Sequence, residues 1–141
     1  MNFDDQRFWG RWIPRWNGAV GAMDSLTGLL LMAAPGFTLR LMGLSVSPAE
    51  WIWISWIGAF VFAIGSCYFF ALKPLVDRGS RAGCAMVWRM TASARTVVAL
   101  FLTGKIISGA LDHGWATVAI TDAVIATVQW IGLKRGWIGD R

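Results

Sequence analysis

Residues 51–72 read WIWISWIGAFVFAIGSCYFFAL, a stretch without a single charged side chain. A run of this length matches the roughly 20 residues that an α-helix needs to cross a bilayer core. In hydrocarbon each backbone N–H and C=O must find its partner inside the segment, so a helix is the fold open to it. Glu50 precedes the run, and Trp51, Trp53 and Trp56 open it, as expected of a belt at the lipid headgroups. Gly58, Ala59, Ala63, Gly65 and Ser66 offer small packing positions, while Phe60, Phe62, Phe69 and Phe70 are bulky groups suited to lipid or to pigment and quinone rings, and read as lipid-facing or packing residues before a cofactor box.

The rest of the chain repeats this character. With 56% hydrophobic residues, 15% charged residues and a mean hydropathy of +0.53, its 141 residues are unlike a soluble domain. The expected fold is all-α, an integral membrane four-helix bundle in one domain, with spans at about residues 16–34, 51–72, 86–107 and 115–133. Before the first span, Phe8 to Trp16 mixes aromatic and basic residues and is expected to form a short interfacial helix or turn. No cleaved signal peptide is expected, because a short apolar core and cleavage site are missing there. Pro35 and Gly36 end the first span. The following GFTLRLMGLSVSPAE is too short to cross and reads as a re-entrant or interfacial connector, its Arg40 directed at headgroups, with Ser47-Pro48 starting the next helix. Lys73-Pro74 ends the second span and a charged loop follows. Cys67 and Cys84 form no CxxC pair and read as reduced packing residues.

Bases set the orientation, since Lys and Arg collect in short cytoplasmic loops. With four spans, Arg7, Arg11, Arg15, Lys73, Arg78, Arg81, Lys134, Arg135 and Arg141 fall on one side, and only Arg40 and Lys105 on the other. Both termini are therefore expected in the cytoplasm. The tryptophans agree: Trp9, Trp12, Trp16, Trp88, Trp130 and Trp137 mark one interface, and Trp51, Trp53, Trp56 and Trp115 the other. This distribution of bases, between apolar runs, also makes a nucleic-acid role unexpected despite a net charge of +5.

Three charges lie inside the spans: Asp24, Arg95 and Asp122. An arginine at a helix centre costs roughly 2.5 to 3.5 kcal/mol, so Arg95 must face a partner, protein or water. Arg89, near the start of its span, can snorkel to the headgroups instead. At a rise of about 1.5 Å per residue, Asp24 lies roughly 12 Å, Arg95 roughly 8 Å and Asp122 roughly 16 Å from the same interface. Arg95 is expected to bridge the two acids, because its planar fork can serve two carboxylates. Asp122, Ala119, Ala126 and Gln129 share one helical face, an expected inward polar stripe. Gly18, Gly21, Ala22, Ser25 and Gly28 form small faces around Asp24 that allow a neighbouring helix to approach.

No catalytic motif stands in the chain: there is no phosphate loop, serine elbow or cysteine pair. Its one histidine, His113, lies in a polar turn beside Asp112 and reads as a loop residue, so neither a catalytic nor a metal site is expected. The layout, with Pro35-Gly36 after the first span, Gly58 and Gly65 in the second, Arg95 in the third and Asp122 in the fourth, resembles small bacterial four-helix membrane proteins of the DoxX-like type. Some of that group are linked to quinone-reducing or other respiratory complexes, so the resemblance implies an accessory role near quinone. The resulting expectation is a non-catalytic accessory subunit of a respiratory or photosynthetic complex in a bacterial inner membrane. Its partners would be lipids and other membrane subunits, with quinone, pigment or lipid contact and no covalent cofactor. The alternative is a small transporter or proton relay built on Arg95, Asp24 and Asp122.

Overall fold

A computed structural model describes residues 3–72 and 81–138, with side chains described for 8–72 and 82–138. Lys73-Pro74, the charged loop after them and Arg141 lie outside the described residues. The described chain is all helical: α1 (Phe3–Ala33), α2 (Pro35–Leu41), α3 (Trp51–Phe70), α4 (Arg81–Ile107) and α5 (Ala116–Lys134), with 3-10 turns at Pro48–Glu50 and His113–Trp115. Three of these helices, α3 with its leading turn, α4 and α5 with its leading turn, are long and apolar enough to cross a membrane.

The expected turn or separate helix at residues 8–16 is absent, because α1 runs unbroken through Pro14. A proline inside a helix loses one backbone bond. Here the flanking residues compensate by packing: Ile13 is buried, with Trp9, Trp12 and Trp16 against the same cluster. The break at Pro35 does occur. A residue before proline is pushed out of the helical region, and Ala34 has φ −146° and ψ 61°. Proline then takes the first position of α2, where its missing N–H has no helical partner to lose.

Helix α2 ends in a Schellman motif. Gly43, at φ 73°, donates to Arg40 O at 3.1 Å, and Leu44 donates to Leu39 O at 2.8 Å. Leu39 and Leu44 are both buried in one cluster with Leu31 and Ile54, which places α2 and its exit against the ends of α1 and α3. The same pair of bonds closes α4 at Gly109 and α5 at Gly136.

Glycine decides how α1 and α3 meet. They lie antiparallel, Gly21 beside Gly65 and Tyr68, Gly28 beside Gly58 and Phe62. A Cβ on Gly28 would stand 2.5 Å from the Phe62 nitrogen, and one on Gly65 would stand 2.6 Å from the Ser25 nitrogen. Of the small residues in α1, Gly21, Ser25 and Gly28 are buried, whereas Gly18 faces open space and Ala22 is exposed. Helices α4 and α5 form the second antiparallel pair, Gly132 receiving the rings of Trp88 and Trp137. Between the two pairs lie large side chains rather than close backbones. Trp88 and Tyr68 are the largest of those fully enclosed. Trp88, expected to mark an interface, is enclosed by protein in one cluster with Trp9, Trp12, Trp16 and Trp137: it is 0% exposed and its Nε1 donates to Asn17 Oδ1 at 2.7 Å.

Candidate functional site

The interior seam of α4 follows a strict helical period. Trp88, Thr91, Ala92, Arg95, Ala99 and Leu102 are all buried, and they recur every three or four residues. Helix α1 turns Ile13, Asn17, Val20, Asp24 and Leu31 inward on the same rule, and α5 turns Ala119, Ile125, Ala126 and Gln129 inward. Polar residues on these seams have no water to bond, so they must bond one another.

Arg95 is 6% exposed and reaches all three other long helices. Its Nη2 donates to Asp24 Oδ2 on α1, its Nη1 to Asp122 Oδ1 on α5, and its Nε to Tyr68 Oη on α3 at 3.2 Å. Both carboxylates are in ion pairs with the guanidinium, Asp24 and Asp122 having side chains 9% and 15% exposed. Gln129 does not touch Arg95. Its Nε2 donates to Tyr68 Oη at 3.0 Å and to Thr91 Oγ1 at 2.8 Å, and Thr91 in turn donates to the Val87 carbonyl at 2.8 Å. The site is therefore a connected network centred on Arg95 and Tyr68. Ser25 Oγ and Gln129 Oε1 are buried acceptors beside it without a hydrogen-bond partner.

Tyr68, Thr91 and Asn17 escape a reading that looks only for charge. Each had a signal in register: Tyr68 falls three residues after Gly65, Thr91 one turn before Arg95, and Asn17 two turns before Asp24. No family model matches this chain, and neither a curated protein nor a solved structure is similar to it.

Chemically, the cluster sets one guanidinium between two carboxylates, with every guanidinium nitrogen engaged. It holds a charged group inside the bundle by pairing it on every side. Neither the cavity between α2 and α3, lined by Arg40 and Trp51, nor the one between α4 and α5, lined by Ile106 and Ile120, is lined by Asp24, Arg95 or Asp122. Among the described residues, no three His, Cys, Asp or Glu side chains come together as metal ligands. His113 lies in its 3-10 turn, where Asp112 accepts from the Gly114 N–H at 2.7 Å.

The expected anchors divide. Trp51 and Trp53 are exposed at the start of α3. Trp130 is exposed on α5 and donates to Thr96 Oγ1 at 3.1 Å. Trp115 instead packs against the Leu31 and Leu39 cluster. Trp16 packs beside Ile13 and Trp88, stacks on Trp12 at 5.0 Å, and keeps its Nε1 buried without a partner.

Proposed function

We propose that the chain is a membrane-embedded four-helix bundle, both termini cytoplasmic, serving as a non-catalytic accessory subunit of an energy-transducing complex in a bacterial inner membrane. The observation that carries this reading is the complete internal pairing of Arg95 by residues of the other three long helices. Such a cluster acts as a structural tie, and the outward faces are left to meet lipid and partner subunits. Those faces are apolar: Ile52, Phe60, Phe70, Val97, Leu100 and Ile120 are each more than half exposed. Helix α1 belongs with the spans on this view. Its Asn17 and Asp24 count against it by composition, yet both are buried, while Leu26 and Leu29 point outward. The respiratory assignment draws on the resemblance to DoxX-like proteins.

Purification in mild detergent, with mass spectrometry and an absorption spectrum of the same fraction, tests the proposal. Stoichiometric partner subunits with haem, quinone or pigment are the expected result. A colourless particle containing this chain alone would discard the accessory role.

One observation favours a second reading: the cluster has two carboxylates for a single guanidinium. The spare acid suits a proton relay. In that case Asp24→Asn or Asp122→Asn would abolish proton movement into liposomes that carry the chain.

A further inference from the structure

We propose that the corner between α2 and α3 is a binding pocket for the phosphodiester of an anionic phospholipid headgroup. A cavity of about 420 Å³ opens there, lined by Gly36, Leu39, Arg40, Leu44, Val46 and Trp51 together with Ser45 and Ser47. Its volume falls within the range of small-molecule sites. The lining contains one cation, two hydroxyls and no acid. Arg40 is exposed, and its guanidinium makes no hydrogen bond or ion pair with any described residue. Ser47 precedes the 3-10 turn without capping it, so its hydroxyl is also unspent.

Gly36 and the Trp51 ring form the back wall of the pocket. Gly36 lies directly against the Trp51 ring, which any side chain at that position would displace. Leu39 and Leu44 anchor the floor in the Leu31 and Ile54 cluster. An arginine fork with nearby hydroxyls matches the oxygens of a phosphate. A zwitterionic headgroup would bring an ammonium that meets no carboxylate in the lining, so a headgroup with net negative charge fits better. Phe37 and Leu41 on α2 and Ile52 and Trp53 on α3, neighbours in sequence of the lining residues, are exposed apolar side chains on which acyl chains can lie.

This inference rests on the membrane reading above, and its test separates the two. Wild type, R40Q, R40K and K105Q are reconstituted with mixed phosphatidylglycerol and phosphatidylcholine, and retained lipid is counted by native mass spectrometry. Wild type is expected to keep one phosphatidylglycerol, R40Q to hold it about tenfold more weakly, R40K to fall between, and K105Q to match wild type. A second arm adds inorganic phosphate to the detergent-purified, lipid-free chain. Arg40-dependent binding of phosphate without retention of the lipid would overturn the lipid assignment. Equal retention by R40Q, or equal loss in K105Q, would overturn the pocket while leaving the membrane reading intact. A chain that fails to enter the bilayer at all would overturn both.

Discussion

Arg95 is the residue on which the interior depends most, because its removal strands one buried and one half-buried carboxylate. Breaking a buried ion pair from one side costs roughly 3 to 5 kcal/mol, whereas replacing both partners together is often close to neutral. Arg95→Leu should therefore lower thermal stability in detergent sharply. The triple change Arg95→Leu, Asp24→Asn and Asp122→Asn should recover much of the loss, since no charge remains to be buried. An Arg95→Leu protein that melts with wild type would rule out the tie. Charge and depth made these three residues legible in the sequence. Tyr68 was not legible by the same route, because a neutral phenol carries no desolvation signal until a guanidinium is seen beside it. Trp88 was legible as a marker of one end of its helix, but its enclosure was not: it lies two turns before Arg95 on the same buried seam.

The helices differ in what brings them together. Glycine allows α1 and α3 to touch backbone to backbone, and this contact has a sign that can be measured. Alanine is favoured over glycine in a helix by about 1 kcal/mol, so Gly18→Ala, in open space, should raise the melting temperature slightly. Gly28→Ala should do the reverse, because its methyl would meet the Phe62 nitrogen at 2.5 Å and force the helices apart, an overpacking cost of roughly 1 to 3 kcal/mol. Equal effects of the two changes would show that the glycine contact does not hold the pair. Small residues at helical spacing announced that some close contact exists. Which of them make it depended on the partner: Gly21, Ser25 and Gly28 face α3, whereas Gly18 and Ala22 do not.

For the molecule as a whole, two antiparallel pairs meet through long side chains, and polar links join them beside apolar clusters such as Ile13 with Trp88 and Val20 with Ile125. Trp88 bonds Asn17, Arg95 bonds Asp24 and Tyr68, and Gln129 bonds Tyr68. The proposed orientation follows from the bases and predicts labelling at the two ends of α5. With Cys67 and Cys84 replaced by alanine, His113→Cys should react with an impermeant maleimide in cells whose outer membrane alone is permeabilised. Arg135→Cys should react only once the inner membrane is also opened. The opposite pattern would invert the topology, and labelling of both from the outside would remove the last span.

Sequence alone determined the helical class, the apolar runs, the break at Pro35 and the inward register of Asp24, Arg95 and Gln129. Those features are local: hydropathy, proline sterics and the 3.6-residue period act within one segment. Tertiary structure alone decided that α1 pairs with α3 and α4 with α5, that Tyr68 completes the Arg95 cluster, and that Trp88 fills the space between the pairs. The physical reason is lateral position. A sequence places a side chain at a depth and on a helical face, but which neighbour stands opposite that face is settled only when the helices pack.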